Sequence, residues 1–498
     1  MLPVLSGVLL TLSFPSFGHA AFAWIALLPL LIAISRVSSI RAAFQAGLVT
    51  GVVHFLGTIY WIPRVMVEFG GLPVPVAWAV HLAFVVYLAM FPALFAAALW
   101  TIRDRLGPRG LLWTPVVWVT SELGRIYLFT GFPWELLGYS QTPFLAVAQL
   151  ASLVGVLGIS ALVALVNGTL AFAVVGGGRR RWVPLAMSAA LLVGCAMFGT
   201  MRIRAESLVH AGEAIRVSAV QGNVAQREKW NPALGDTILQ KYLDLTRRAV
   251  DDGAELVIWP EAATPFAFRD DRRGDVIREL ARDRRVHVLF GTTDNRWRPG
   301  EEPRSYNAAV MVGPDGDTTG TYYKQHLVPF GEYVPLRDLL FFVSPLVEGV
   351  GGFSAGTEAS TFPVKGHRIG TAICYEVIYP GLVREFVTGG SRLLTTITND
   401  AWYGPTSAPH QHFQMATMRA IEGGRFLVRA ANTGISGVID PYGRVVTRTA
   451  LFEEDVVTAD VRLLDHSTVY SRIGDVPAFG CGALTLGLLG LAWRFRAV

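Results

Sequence analysis

The chain has 498 residues, of which 52% are hydrophobic and only 16% are charged, and its formal net charge is +5 at pH 7. A soluble protein carries about 25% charged residues, so this composition excludes a chain that lies wholly in water. The arginines cluster beside apolar segments, which favours a membrane protein over one that binds nucleic acid.

Eight apolar segments predict helices that cross a membrane. They lie at residues 3–18, 20–35, 42–62, 74–101, 111–128, 144–175, 183–200 and 477–493. A helix needs roughly 20 residues to cross about 30 Å of hydrocarbon, so the first two segments are short and the sixth is long enough to tilt. We therefore expect a transmembrane domain at 1–200 with about seven spans, a soluble domain at 201–475, and a last span with a tail at 476–498.

Arginines accumulate in alternate loops between these segments and predict the orientation of the chain. The basic positions are Arg36, Arg41, Arg103, Arg105, Arg109, Arg179, Arg180, Arg181, Arg494 and Arg496. By the positive-inside rule these loops and both termini are cytoplasmic, and residues 201–475 lie on the far side because they follow an odd number of spans. A cleaved signal peptide that ends near Ala20 is the alternative, but that stretch lacks a basic region and further spans follow it at once.

The segment from Ile215 onward alternates short β-rich runs with helical stretches. Runs such as "ELVIWPE", "RIGTAICYE" and "RLLTTITND" predict strands. Helices are predicted at residues 233–251, 273–284 and 408–423. This alternation predicts a layered α/β domain.

Polar and ionisable side chains stand where several predicted strands end, which is where active sites gather in α/β folds. They are Glu261, Cys374, Glu376, Asn399 and Asp400, and Lys324 follows another predicted strand. The other two cysteines of the chain, Cys195 and Cys481, lie within predicted spans. The thiol of Cys374 therefore has no predicted cysteine partner on its side of the membrane.

A thiol of ordinary pKa is mostly protonated near neutrality, so a nucleophilic cysteine needs a nearby base or cation. Glu261 is able to accept its proton. Lys324, with the backbone N–H that follows the cysteine, is able to stabilise a developing oxyanion. Three alternatives stay open at this point: Cys374 as a small buried hydrophobic residue, Glu261 as a turn or cap residue, and Lys324 as a solvated surface charge.

Three motifs carry a resemblance to a known family: "WPE" with Glu261, "YYKQHLVPFGEYVP" with Lys324, and "CYE" with Cys374. In this order they resemble the nitrilase (carbon–nitrogen hydrolase) superfamily. The spans ahead of them, with "GFPWELLGYSQ" and "TNDAWYG", are similar to its membrane-embedded branch, the apolipoprotein N-acyltransferases. The resemblance implies a polytopic α-helical membrane domain plus an extracytoplasmic αββα sandwich, in which Glu261 is the general base, Lys324 the oxyanion-stabilising lysine and Cys374 the acyl-accepting nucleophile.

The same resemblance implies supporting roles for five further residues. Glu332 matches a second, supporting glutamate, and Tyr375 and Glu376 match positions beside the nucleophile that the family needs for function. Trp230 and Trp402 match tryptophans of mobile loops around a lipid entrance. The resemblance implies no metal and no cofactor.

The reaction that the resemblance implies is an acyl transfer in two steps. Cys374 takes an acyl chain from a phospholipid, phosphatidylethanolamine by resemblance, and forms a thioester. The N-terminal amine of the diacylglyceryl-cysteine of an apolipoprotein then receives the acyl chain, in the last step of bacterial lipoprotein maturation. The expected location is the bacterial inner membrane, with a monomeric chain, a periplasmic catalytic domain and both termini in the cytoplasm.

Two other functions remain open. A membrane-anchored nitrilase-type amidase would use the same residues to hydrolyse small amides, although one anchoring helix would suffice for it. A transporter or scaffold would carry an inactive sandwich, although the spans show little of the intramembrane charge that marks transport paths. The apolar, glycine-rich stretch 336–356 is interpreted either as a lipid-facing arm or lid, or as a core strand with its loop.

Overall fold

The computed structural model describes residues 1–297, 300, 303–333 and 352–494. The stretch 336–356, interpreted above as a lid or a core strand, therefore lies outside the described residues as far as residue 351. A bundle of helices forms the N-terminal part of the chain. Its helices are α1 (Leu2–Thr11), α2 (Ala23–Ala26), α3 (Leu28–Arg36), α4 (Ile40–Thr58), α5 (Ile62–Glu68), α6 (Val74–Leu106), α7 (Thr114–Tyr127), α8 (Leu145–Ala148), α9 (Ala151–Val175), α10 (Trp182–Ala205) and α11 (Ser207–His210).

Within the described residues, five helical stretches are long and apolar enough to cross a membrane. They are Ile40–Thr58, Val74–Thr130, Ala151–Val175, Arg179–His210 and Val476–Arg494. The second of them contains both α6 and α7, and two shorter apolar stretches, Leu2–Thr11 and Ala20–Arg36, precede the first. Each of the eight predicted segments thus coincides with helical structure. That the two short stretches cross a bilayer stays a prediction.

Small residues let the central helices of the bundle approach closely. A Cβ added to Gly47 on α4 would lie 2.3 Å from the carbonyl oxygen of Pro92 on α6, and one added to Gly51 would lie 2.7 Å from the Cα of Ala89. Contacts between small residues replace the hydrophobic driving force that is missing between helices in lipid. The bundle is therefore held by close packing at these positions.

The second part of the chain is a sandwich of two sheets of six strands each. Its strands are β1 (Glu213–Gln221), β2 (Leu256–Ile258), β3 (His287–Arg296), β4 (Arg304–Val312), β5 (Thr318–Tyr323), β6 (Thr361–Val364), β7 (His367–Ile373), β8 (Ser391–Thr398), β9 (Leu427–Ala431), β10 (Gly437–Ile439), β11 (Val445–Arg448) and β12 (Asp455–Leu463). Its helices are α12 (Gln226–Lys229), α13 (Gly235–Asp251), α14 (Arg273–Arg284), α15 (Pro380–Thr388) and α16 (Ala408–Gly423), followed by α17 (Val469–Ile473) and the apolar α18 (Val476–Arg494).

The strand order is β12-β1-β2-β3-β4-β5 in the first sheet and β11-β10-β9-β8-β7-β6 in the second. Strands β1 to β3 and β7 to β9 run parallel, and the flanking strands are antiparallel. Helices α13 and α14 pack on the first sheet, whereas α15 and α16 pack on the second. The layers are therefore helix, sheet, sheet, helix, which confirms the predicted nitrilase-like αββα sandwich.

The alternation of side chains along each strand builds the two apolar layers. In β2, Leu256 and Ile258 face the core between the sheets, whereas Val257 faces the core beneath α13 and α14. All three side chains are fully buried, as expected for a strand with parallel neighbours on both sides.

Helix α16 joins the sandwich to the bundle. Every residue of this helix except His410 is buried. Gln414 Nε2 donates to the carbonyl oxygen of Tyr139 at 2.9 Å, and Glu422 Oε1 accepts from the backbone N–H of Val156 at 2.8 Å. Because the helix is covered on all sides, the α/β domain and the membrane domain share one continuous core.

Candidate active site

The three residues predicted to carry the chemistry lie together at strand ends. Glu261 follows β2 by three residues, Lys324 comes directly after β5, and Cys374 comes directly after β7. The first two belong to one sheet and Cys374 to the other, so stacking of the sheets brings them together. Lys324 Nζ lies 3.5 Å from Glu261 Oε1, and the charges of both residues act on the Cys374 thiol.

Hydrogen bonds hold both the carboxylate and the backbone carbonyl of Glu261. Its Oε1 accepts from Asn307 Nδ2 at 2.7 Å, and its Oε2 accepts from the backbone N–H of Asn399 at 3.0 Å. The carbonyl oxygen of the same residue accepts from Lys229 Nζ at 2.8 Å. A carboxylate held in this way has a fixed orientation in the site.

Lys324 is almost completely buried and lies between two carboxylates. Its Nζ lies 2.9 Å from Glu332, whose carboxylate also accepts from Asn307 Nδ2 at 2.8 Å and from the backbone N–H of Val328 at 2.8 Å. Burial alone would lower the pKa of Lys324, but Glu332 and Glu261 raise it above its ordinary value. The ammonium therefore stays charged and is a fixed donor in a buried site.

Cys374 occupies a strained position at the turn between β7 and a short 3₁₀ helix, Cys374–Ile378. Its φ is +51°, in the left-handed region that side chains rarely adopt. Burial, and then Glu261, raise the pKa of the thiol, while Lys324 acts in the opposite direction. The sulfur is therefore a resting thiol, and it needs a base to become a nucleophile.

Glu376 ties the nucleophile turn to the segment that follows Lys324. Its carboxylate accepts from the backbone N–H groups of Ile373 at 2.7 Å and Gln325 at 2.7 Å, and from the hydroxyl of Tyr322 at 2.8 Å. Burial raises the pKa of Glu376 to about 7, and the bond from Ile373 opposes that shift. Glu376 thus fixes the position of the Cys374 turn relative to the segment that follows Lys324.

Aromatic side chains lie around the turn that carries Cys374. The ring of Tyr375 lies 5.3 Å from that of Tyr379 and 6.4 Å from that of Phe132 in the membrane domain. Trp402 lies 5.0 Å from Phe69, and Trp230, which follows α12, is 41% exposed. The structure thus places Tyr375 beside Cys374, and it places both tryptophans nearer to the surface than Glu261, Lys324 and Cys374.

The comparisons with known proteins cover both parts of the chain. Residues 216–469 match the carbon–nitrogen hydrolase family, and residues 6–169 match the apolipoprotein N-acyltransferase N-terminal domain. An apolipoprotein N-acyltransferase of Geobacter metallireducens is 41% identical over 100% of this chain and 96% of its own, and one of Methylococcus capsulatus is 37% identical over the same shares. The chain belongs to the apolipoprotein N-acyltransferase family. Among solved structures, an amidase of the nitrilase superfamily from Nesterenkonia covers 55% of this chain and 99% of its own, with 19% identity and a TM-score of 0.41.

In this family member, three buried groups behind Cys374 were not predicted as a unit. His412 Nε2 lies 3.2 Å from the carbonyl oxygen of Cys374, and its Nδ1 lies 3.0 Å from Asp400 Oδ1. Arg429 donates to Asp400 Oδ2 at 2.8 Å. The sequence shows Asp400 at a strand end. It also shows Arg429 in the apolar run "FLVRAAN", and an arginine in such a run indicates a buried ion pair, here the pair with Asp400.

Two further residues of the site, Lys229 and Asn307, had no signal in the sequence. Asn307 lies within β4, and it bridges Glu261 and Glu332 through one amide nitrogen. Lys229 lies in the polar run "QREKW", where a solvated lysine is the ordinary expectation. Only the folded arrangement shows that both side chains point into the site.

The membrane domain supplies one wall of the site in this member of the family. Trp134, in the run "GFPWELLGYSQ", donates through Nε1 to Gln411 Oε1 at 2.8 Å, and its ring lies 5.7 Å from that of His412. Arg125 donates to the carbonyl oxygens of Trp134 and Glu135, each at 3.2 Å. The buried Arg125 therefore supports the wall rather than a transport path. Within the described part of the chain, no cluster of three or more metal-binding side chains is found.

Proposed function

We propose that this protein transfers an acyl chain from a membrane phospholipid, through a thioester on Cys374, to the N-terminal amine of the diacylglyceryl-cysteine of apolipoproteins. One observation carries the proposal. The buried, unpaired thiol of Cys374, in a left-handed turn, lies in one site with the hydrogen-bonded carboxylate of Glu261 and the charged Lys324. The domain that holds this site shares its core with the helical bundle of the membrane domain. Nucleophile, base and oxyanion donor are the parts that acyl transfer through a thioester needs.

The first half-reaction acylates the cysteine. Glu261 accepts the proton of the Cys374 thiol, and the sulfur attacks the carbonyl carbon of a phospholipid ester. Lys324 Nζ, together with the backbone N–H of Tyr375, stabilises the negative charge on the carbonyl oxygen. The tetrahedral intermediate then collapses, the C–O bond breaks, and the lysophospholipid leaves with the proton from Glu261.

The second half-reaction transfers the acyl chain. The neutral amine of the diacylglyceryl-cysteine attacks the thioester carbon, and Glu261 accepts a proton from the nitrogen. The C–S bond breaks, the sulfur leaves, and it takes back the proton to regenerate the thiol. The cycle is ping-pong because the first product leaves before the amine reacts.

Exclusion of water explains why an amine, and not water, receives the acyl chain. Glu261, Lys324 and Cys374 are all buried, and the aromatic rings of Tyr375 and Trp134 line the side toward the membrane domain. Water in such a pocket is scarce, so thioester hydrolysis is slow relative to aminolysis. Both substrates reach the site while their acyl chains remain in the bilayer, where each buried CH₂ contributes about 0.8 kcal/mol.

The finer features of substrate and location belong to the same proposal. We take phosphatidylethanolamine as the acyl donor, and a monomer in the bacterial inner membrane as the functional unit. The catalytic domain lies in the periplasm and both termini lie in the cytoplasm. Arg103 and Arg105 in the last turn of α6, and Arg494 at the end of α18, support this orientation because cytoplasmic helix ends are rich in arginine.

A membrane-anchored amidase would use the same three residues. The match of residues 6–169 to the N-terminal domain of the acyltransferase family favours acyl transfer over small-amide hydrolysis. So does the aromatic wall that the membrane domain builds beside Cys374, since an amidase that takes soluble substrates has no need of it. A transporter or scaffold would not need a thiol held between a base and a lysine.

Intact-mass measurement tests the proposal. The purified protein is incubated with phospholipid alone, and we expect the mass of one acyl chain to be added at Cys374. A diacylglyceryl-cysteine peptide should then remove that mass and gain the acyl chain itself. Cys374→Ala should show no adduct, whereas Cys195→Ala and Cys481→Ala should acylate like the parent. An adduct that persists in Cys374→Ala, or small-amide turnover without any adduct, would contradict acyl transfer through this thiol.

A further inference from the structure

Lys229 is a buried lysine beside the reacting groups that the reaction described above does not use. It is the last residue of the short helix α12, and its side chain is 2% exposed although both neighbours in sequence are exposed. Its Nζ donates to the carbonyl oxygen of Glu261 at 2.8 Å. A buried ammonium is costly unless charges of the opposite sign lie near it.

The charges that face Lys229 are those of the active site. Burial lowers its pKa to about 8, while the Glu261 carboxylate and the Cys374 sulfur act in the opposite direction. The same two groups also act on Lys324, which Glu332 contacts. Lys229 therefore remains protonated at neutral pH and belongs to the same electrostatic cluster as the nucleophile.

The formal charges of Glu261, Glu332 and Lys324 balance only when Lys229 is counted, and Glu376, whose pKa burial raises to about 7, adds part of a further negative charge at neutral pH. Two carboxylates, Glu261 and Glu332, face one ammonium at Lys324, which leaves one negative charge in excess before any proton moves. Forming a thiolate in a buried site with excess negative charge is unfavourable. A second ammonium offsets this excess charge, and the net charge does not change when the proton passes from sulfur to Glu261 and when the negative charge then passes to the ester oxygen.

The neighbouring ion pair does not supply this charge. Arg429 donates to Asp400 at 2.8 Å, and His412 packs against both with a pKa that burial, and then Arg429, lower. That pair is neutral by itself. Lys324 and Lys229 are two positive groups that interact with the Cys374 thiol and with Glu261.

We propose that Lys229 is a positioning residue that supplies the second positive charge of the Cys374 site. Its charge stabilises the thiolate that forms when the base Glu261 accepts the proton of Cys374. The inference rests on the proposed role of Cys374 as nucleophile. The segment that carries Trp230 then also has an electrostatic role in the reaction, because Lys229 and Trp230 are adjacent in sequence.

A merely structural role is the competing explanation, since Lys229 also anchors its segment. Gln226 Oε1 accepts from Asn399 Nδ2 at 2.6 Å, and Lys241 Nζ donates to the carbonyl oxygen of Gly222 at 3.1 Å. Both contacts tether the same stretch of chain. The test must therefore separate loss of charge from loss of an anchor.

Alkylation of Cys374 by iodoacetamide, a neutral reagent, measures the thiolate without any lipid substrate. The rate is followed at constant neutral pH by mass analysis of the peptide that contains Cys374. Lys229→Met and Lys229→Gln should both react at least about tenfold more slowly than the parent, since one pKa unit of the thiol is a factor of ten. Lys229→Arg, which keeps the charge, should recover most of the rate. Lys241→Met removes a lysine that also donates to a backbone carbonyl of this stretch, and it should react like the parent.

Glutamine keeps an N–H donor for the Glu261 carbonyl but carries no charge, so it decides between the two explanations. A parent-like rate in Lys229→Gln, or a loss in Lys241→Met equal to that in Lys229→Met, overturns the proposal in favour of anchoring. As a second measurement, the alkylation rate of Lys229→Ala is compared with and without added ethylammonium. Recovery of alkylation by the added cation supports the proposal, and no recovery in a folded variant opposes it. Because no phospholipid is present, a failure of the acyl-transfer proposal would appear separately, as a missing acyl adduct in the parent.

Discussion

His412 Nε2 lies 3.2 Å from the carbonyl oxygen of Cys374, and both groups are buried. Because a carbonyl oxygen only accepts, Nε2 must carry the proton in this bond, while Nδ1 lies 3.0 Å from both Asp400 Oδ1 and Arg429 Nη2. Burial, and then Arg429, lower the pKa of His412, which agrees with a neutral ring. The bond fixes the peptide plane on the C-terminal side of the nucleophile, and hence the direction of the Tyr375 N–H.

Substitution of His412 tests this relationship. Loss of a buried hydrogen bond costs about 1–3 kcal/mol, so we expect His412→Ala to acylate from phospholipid about tenfold to a hundredfold more slowly, with a smaller loss in His412→Gln, which keeps a donor. Single-turnover acylation followed by mass is the measurement. His410→Ala, two residues away on α16 and half-buried, should retain the parent rate. Equal losses in His412→Gln and His412→Ala would argue against a donor role.

Helices with a clear periodic pattern of apolar residues were the most predictable elements. The helix predicted at 273–284 has those bounds in the structure, and the one at 408–423 is α16. Strand β6 was missed because it is a four-residue edge strand that contains Pro363, which is typical of a loop. Strand β12 was missed because its place is set by antiparallel pairing with β1, more than two hundred residues earlier, and no local pattern encodes that pairing.

The residues of the candidate site that lie in recognisable sequence motifs could be predicted, and the others could not. Glu261 and Cys374 each follow an apolar strand and Lys324 follows the polar strand β5, so their types and positions were visible, but their convergence depends on how two sheets stack. Lys229 and Asn307 lie in stretches with no distinctive pattern, and only their burial beside carboxylates marks them. Burial of polar groups is a property of the folded arrangement, which explains why these partners appeared only with the structure.

The pH dependence of Cys374 reactivity follows from its surroundings. Burial, and then Glu261, raise the pKa of the thiol, so its thiolate fraction should keep growing, by up to about tenfold per pH unit, as far as about pH 8, where Lys229 begins to lose its charge. We expect alkylation by iodoacetamide to rise across this range without a plateau. Glu261→Gln removes a negative charge and should alkylate faster at neutral pH, although its acylation by phospholipid should fall because the base is lost. A plateau from about pH 7 upward would instead indicate a resting thiolate.

The orientation in the membrane is tested by labelling with a thiol reagent that cannot cross the bilayer. Cysteines are introduced one at a time at Asp317 and Arg180, both exposed, in a chain with Cys195 and Cys481 replaced by serine. A reagent added from the periplasmic side should label position 317 in the β4–β5 turn and leave position 180 unlabelled. After the membrane is permeabilised both should react. The reverse pattern would invert the topology.

The two tryptophans near the surface are expected to govern lipid entry rather than chemistry. Trp230 is 41% exposed, and Trp402 packs on Phe69 of the membrane domain. Trp230→Ala and Trp402→Ala should therefore weaken turnover of lipid substrates while iodoacetamide still alkylates Cys374 at the parent rate. Trp297→Ala, an exposed tryptophan just beyond β3, should change neither. Loss of thiol reactivity together with turnover would place these rings in the chemical site.

Lys324 and Lys365 allow a matched comparison between a lysine in the site and one at the surface. Each lies between two carboxylates: Lys324 between Glu332 and Glu261, and Lys365 between Glu255 at 2.6 Å and Glu213 at 3.4 Å. Lys365 is about one-third exposed, whereas Lys324 is buried. If positive charge alone mattered, arginine would serve equally well at both positions.

We expect Lys324→Arg to behave almost like a deletion and Lys365→Arg to behave like the parent. A guanidinium is larger and planar and pairs with carboxylates in a fork, so it should turn toward Glu332 and Glu261 and displace both the donor and the base. Loss of one oxyanion donor costs a factor of about 10²–10³ in rate. That loss should appear in formation of the Cys374 thioester itself, which single-turnover acylation by phospholipid separates from transfer to the amine. Acylation of Lys324→Arg within about tenfold of the parent rate would show that Lys324 acts through its charge alone and not as a directed donor.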